Sequence, residues 1–183
     1  MNKFQQWQDH DDSNKNRILA LAIGALIFPT MIPVFLIIVL PYVDHYLGIS
    51  SFFNGSVNIV TGVIAIIIGG IVAIWTIVIQ ITLASGTPFP MLPTKKLLIV
   101  GPFKYCRNPM TLGTILAYGG IAVLIGSFTA LVFVAIFAAI LMGYLKVIEE
   151  KELELRFGSE YVEYKKKTPF MIPLKTGRTD SKN

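Results

Sequence analysis

The chain has 183 residues, 54% of them hydrophobic and only 15% charged, with a formal net charge of +5. A soluble domain could not keep that much apolar side chain out of water, so the composition reads as a membrane protein. It also excludes a disulfide within the chain and leaves no His/Cys metal centre, because Cys106 is the single cysteine and His10 and His45 are the only histidines.

Residues 1–17 form a polar amino-terminal segment. The run from Ile18 to Leu40 then carries no charged residue and exceeds the apolar core of a secretory signal, so it reads as a retained first span, kinked at Pro29 and Pro33. Pro41 to Ser56 reads as a connecting loop, and Val57 to Ala84 as an uncharged second span. Between Pro88 and Pro93 three prolines deny the next segment a helix, and "LLIV" (residues 97–100) returns the chain to apolar surface.

The stretch "GPFKYCRNPM", Gly101 to Met110, sets two basic side chains directly against the next apolar run. Asparagine is a preferred N-cap and proline a preferred first helical residue, so Asn108-Pro109 predicts the start of the third span. Gly126-Ser127 predicts a tight turn into a fourth span, which keeps strong helix formers past Leu145 as far as Phe157, with Glu152 and Arg156 four residues apart. Gly158 reads as its terminator, and "SEYVEYKKKTPF" as one more short helical turn with Tyr161 and Tyr164 on one side, ended by Pro169 and Pro173. The expected fold class is all-α: about four transmembrane helices, the fourth extending into the cytoplasm, plus a short carboxy-terminal helix.

All 16 lysines and arginines lie in residues 1–17, between Lys95 and Arg107, or from Lys146 onward. The positive-inside rule therefore puts both termini and the middle loop in the cytoplasm, here of a prokaryotic plasma membrane. The excess positive charge sits where anionic headgroups are met, so membrane lipids and no nucleic acid are the expected partners.

Glu149 and Glu150 arrive as the fourth span leaves the bilayer. A solvated helix face is one reading of them. However, Glu150, Leu153 and Phe157 share a helical face, and an acid near a membrane is costly enough to be partnered as a rule. The hairpin brings residues 107–110 close to residues 145–150, so Arg107 is the natural partner of Glu150, either as a plain staple or as part of a site. The positive end of the helix starting at Pro109 adds free N–H groups that suit a carboxylate ligand beside Arg107. Walker, dinucleotide, HExxH and GxSxG motifs are all missing.

Residues Gly101 to Gly113, and then "EEKELELRFGSEYVEYKKKTPFMIP", resemble the integral-membrane methyltransferases grouped around isoprenylcysteine carboxyl methyltransferase and phospholipid N-methyltransferase. The resemblance covers roughly Gly86 to Pro173. It implies S-adenosylmethionine as cofactor, held by residues 85–183, while residues 18–84 supply two generic spans. It places Tyr105, Arg107, Asn108, Pro109, Met110 and Gly113 on the family's first motif, and Glu149, Glu150, Leu153, Phe157, Gly158, Tyr161 and Tyr164 on its second. Arg107, Asn108 and Glu150 become the catalytic candidates, and a lipophilic or amphiphilic methyl acceptor the expected substrate. Asn108 stands where histidine is commoner, which puts a general base at that position in question and leaves a hydrogen bond to the cofactor open. Sterol and steroid reductases share a related Arg-His/Asn-Pro region, so an NADPH-dependent reductase stays open as an alternative, as does a non-enzymatic scaffold.

Overall fold

A computed structural model describes residues 18–19, 22–24, 26–52, 55–83 and 97–172. Among these the chain is helical, with no strand. Helices α1 (Ala22–Tyr46), α2 (Ser56–Leu83) and α4 (Phe128–Phe157) are each long and apolar enough to cross a membrane. Helix α3 (Pro109–Ile125) has 17 apolar-rich residues, about 25 Å of helix and the short end of the range for a span. Helix α5 (Ser159–Lys167) follows at the charged end. The segment from Pro88 to Pro93, Pro173 and residues 1–17 lie outside the described residues.

Helix α1 runs six residues beyond the expected end at Leu40 and is helical through Pro29 and Pro33. It widens into π turns at Ile27–Met31 and Phe35–Val39, each closed two residues before a proline, Pro33 or Pro41. In a π turn the N–H that proline lacks would have reached the carbonyl five residues back. For Pro33 that acceptor is Phe28 O, and the Tyr118 hydroxyl of α3 donates to it instead. The extension past Leu40 has its own cause. Asp44 is buried, and its carboxylate accepts from the Ser127 hydroxyl and, at 3.1 Å, from the Thr129 N–H at the start of α4. Thr129 Oγ1 also donates to Leu40 O at 2.9 Å. An acid from one helix thus satisfies an open N–H group of another, and the predicted loop from Pro41 is helical through Tyr46 for that contact.

Helices α2 and α3 pack antiparallel with backbones touching. A Cβ placed on Gly69 would lie 2.5 Å from the Gly113 carbonyl oxygen, and one on Gly113 would lie 2.7 Å from the Ala73 nitrogen. Gly62 and Gly120 repeat the contact two turns away. Apolar side chains gain nothing from burial against each other rather than against lipid, so helices in a bilayer associate through such close approach. On the far side of α3, Tyr118 and Ala122 join Leu36 and Leu40 of α1 and Ala130 and Val134 of α4 in one core.

The predicted punctuation at the hairpin and beyond is present. Gly126 takes a left-handed φ of 65° between α3 and α4, and Ser127 caps α4 by accepting from the Ala130 N–H at 3.1 Å. At Gly158, φ 56° and ψ −131° suit glycine alone, so the chain turns sharply there into a nine-residue helix rather than a single turn. One unforeseen feature is a further π turn at Leu145–Glu149, which passes directly into Glu150.

Candidate functional site

The charged end of the bundle is built on the short segment between α2 and α3. A 3₁₀ turn, Gly101–Lys104, leads through Tyr105 and the buried Cys106 to Arg107 and Asn108, and α3 begins at Pro109 as expected. Asn108 does not act as a side-chain cap: its Nδ2 donates to Phe170 O at 3.0 Å. The Arg107 N–H donates to Pro169 O at 3.0 Å, and the Arg107 guanidinium lies 5.6 Å from the centre of the Phe170 ring, within cation–π range. The segment after α5 therefore returns across residues 107 and 108 and fixes their backbone. Sequence reading misses this contact, because two of its three parts are made by main-chain carbonyls, which any residue supplies.

Arg107 and Glu150 form an ion pair with both side chains largely out of water, at 10% and 6% exposure. Such a pair must be well made to offset desolvation, and here Glu150 has a second cation. Lys165 of α5 donates to Glu150 Oε2 at 2.7 Å and to Glu154 Oε1 at 2.8 Å. The hydrogen bonds from Lys165 to Glu150 and then Glu154 push its ammonium above the ordinary lysine range. Arg107 has a donor left over, since its Nε is buried with no hydrogen-bond partner among the described residues.

The two tyrosines flank this pair from α5. Tyr161 and Tyr164 are both buried, with ring centres 6.1 Å apart. Burial and then the Glu150 charge push the Tyr161 phenol up, against a smaller pull downward from the Arg107 hydrogen bond and charge. The Tyr164 hydroxyl donates to Phe103 O at 2.6 Å and locks α5 onto the 3₁₀ turn; burial pushes it upward too.

The other candidates separate by position. Pro109 is fully buried at the helix start, and Met110 is half-buried behind it. Tyr105 is 65% exposed, so its ring is open to a ligand or to headgroups. Gly113 lies one turn deeper, in the seam with Gly69 and Ala73, and that contact accounts for a glycine there. Glu149 is half-buried on the π turn and forms no ion pair among the described residues. The expected Glu152–Arg156 pair is made at 3.1 Å, with both side chains half-buried. Lys165 is the residue that sequence reading passed over, one of three consecutive lysines.

Cys106 is 3% exposed, and burial pushes its thiol up despite a backbone hydrogen bond at Asn108. The thiol is thus a packing residue. In the folded protein at neutral pH it is expected to react with a maleimide at least about tenfold more slowly than after denaturation, which mass spectrometry of timed samples would show.

No curated protein and no solved structure matches the chain. The phospholipid methyltransferase family does, over residues 57–160, a stretch that takes in α2, α3, the Arg107 segment, all of α4 and Glu150. A match across more than half of the chain, on a bundle of apolar helices whose described charges, Asp44 apart, gather at one end, favours methyl transfer over the reductase and scaffold alternatives: the chain belongs to the phospholipid methyltransferase family and is a membrane methyltransferase.

Proposed function

We propose that the protein takes a methyl group from S-adenosylmethionine at the charged end of the bundle and delivers it to a lipophilic acceptor that enters from the bilayer. The observation that carries this reading is the buried, unpartnered Arg107 Nε beside a helix start that no side chain caps. The donor's amino-acid portion has one carboxylate and one ammonium. Arg107 Nε and the first N–H groups of α3 suit the carboxylate, and the Glu149 carboxylate, in no ion pair among the described residues, suits the ammonium. The exposed Tyr105 ring offers a face to a sulfonium. When bound, the donor supplies a methyl group already activated on positively charged sulfur.

What remains for the chain is to position the acceptor and exclude water. Asn108 holds the Phe170 carbonyl and is no base, so it takes no proton from the acceptor. The family's name puts a phospholipid amine first among acceptors; a prenylated cysteine carboxylate, which needs no deprotonation, is the second. The outward faces of α2 and α4 are apolar and exposed along their length, which allows a lipid-soluble acceptor to approach sideways between helices. The positive-inside pattern makes the charged end cytoplasmic, where a water-soluble donor is met.

Membranes containing the protein, incubated with donor labelled in its methyl group, are expected to carry label into the lipid extract. Thermal stabilisation of the purified protein by NADPH, with none from S-adenosylmethionine, would overturn the reading.

A further inference from the structure

We propose that Lys165 is a positioning residue for the donor: it neutralises one oxygen of Glu150 so that Arg107 keeps positive charge to spare for the donor's carboxylate. This rests on the donor reading above. Glu150 divides its two oxygens between two cations, Oε1 to Arg107 and Oε2 to Lys165. Were Arg107 its only partner, a bound carboxylate and Glu150 would compete for one guanidinium, and one negative charge would be left unmatched beside side chains largely out of water. That arrangement is costly. With Lys165 in place, Glu150 draws on two cations and Arg107 keeps charge for a second carboxylate, while Glu154 draws on Lys165 alone.

The geometry sets Lys165 apart from its neighbours. Lys167 pairs with Glu163 on the exposed surface of α5, and Lys166 is exposed. Lys165 instead reaches inward: its side chain is 37% exposed, yet its ammonium touches a carboxylate that is almost fully enclosed. The more exposed Glu154 accepts from the same ammonium at 2.8 Å. The groups that face Glu150 are thus Arg107 from the segment before α3, and Tyr161 and Lys165 from α5. Through Glu150, Lys165 reaches Arg107 without touching the donor.

A purely structural latch would look different. Lys165 also ties α5 to α4 through Glu154, and a latch would be loosened by loss of either partner of that bridge. Neutralisation of Glu150 needs Lys165 and not Glu154. The test is calorimetric titration of the full-length protein in detergent micelles with S-adenosylhomocysteine, the donor without its methyl group. The dissociation constant is expected to rise about tenfold in Lys165→Met, the scale of one lost charge-assisted hydrogen bond. Lys165→Arg restores it to within about threefold, and Glu154→Gln stays equally close to the parent. Equal affinity in the parent and Lys165→Met overturns the proposal, as does a loss in Glu154→Gln as large as that in Lys165→Met. A flat titration of the parent protein itself overturns the donor reading and this inference with it.

Discussion

Replacing Glu150 with alanine is expected to lower the stability of the folded protein by about 3–5 kcal/mol, the cost of stranding a buried charge. The reason lies in how the ion pairs share partners. Glu150 stands between Arg107 and Lys165, so its removal leaves the enclosed guanidinium without its counterion and brings two cations together. Arg107→Ala should cost less, because Glu150 keeps Lys165. The double variant should be less destabilised than the sum of the single ones, since it strands no charge on Arg107. Equilibrium unfolding in mixed micelles reads all three. An Arg107→Ala protein less stable than Glu150→Ala would contradict the shared-carboxylate arrangement.

The second large effect is expected at Gly113. Replacement by leucine sets a side chain against the backbone of α2, where even a Cβ would come within 2.6 Å of the Gly69 carbonyl oxygen. Backbone cannot swing aside as a side chain does, so the cost should reach the upper end of the overpacking range, about 3 kcal/mol. Gly119 is the control: nothing lies within 4 Å of a Cβ there, and Gly119→Leu should fall within about 0.5 kcal/mol of the parent. The same unfolding measurement separates the two, and equal behaviour of the two glycines would contradict close packing of α2 on α3. Because Arg107 is carried two residues before α3, loosening this seam should also weaken donor binding.

The parts of this architecture that are local were legible in the sequence. Pro109 opens a helix, Gly126-Ser127 turns the chain, and Gly158 ends α4, each by a preference that acts over a few residues. The pairing of Arg107 with Glu150 was also within reach, because two spans joined by a tight turn must bring their far ends together. Contacts that depend on a third element were not. The role of Asp44 depends on α1 lying against the start of α4, and a proline at 41 looked like the beginning of a loop. A signal was nevertheless present: Asp44 is the only acid between Asp12 and Glu149, and a lone acid amid apolar helices should be sought as a cap. The seam of α2 and α3 also had a trace, since Gly62 and Gly69 share a seven-residue spacing with Gly113 and Gly120, but only the rotation of both helices reveals that the pairs meet.

At the site, Asn108 shows the limit of residue preference. Its place at the helix start is as expected, yet its amide is drawn away to Phe170 O by a segment sixty-two residues further on. Lys165 was hidden for a different reason. Three lysines in a row look like a solvated surface, and only the path of the chain after Gly158 singles out the one that turns inward.

The central claim, that Arg107 holds the donor, is tested most directly by titrating S-adenosylhomocysteine into the parent protein and into Arg107→Lys. Lysine keeps a cation opposite Glu150 and so preserves the fold, but it removes the guanidinium fork that includes the unpartnered Nε. The account predicts saturable binding at one site per chain in the parent protein, weakened at least about tenfold in Arg107→Lys with little change in melting temperature. Equal affinity in the two proteins would contradict it.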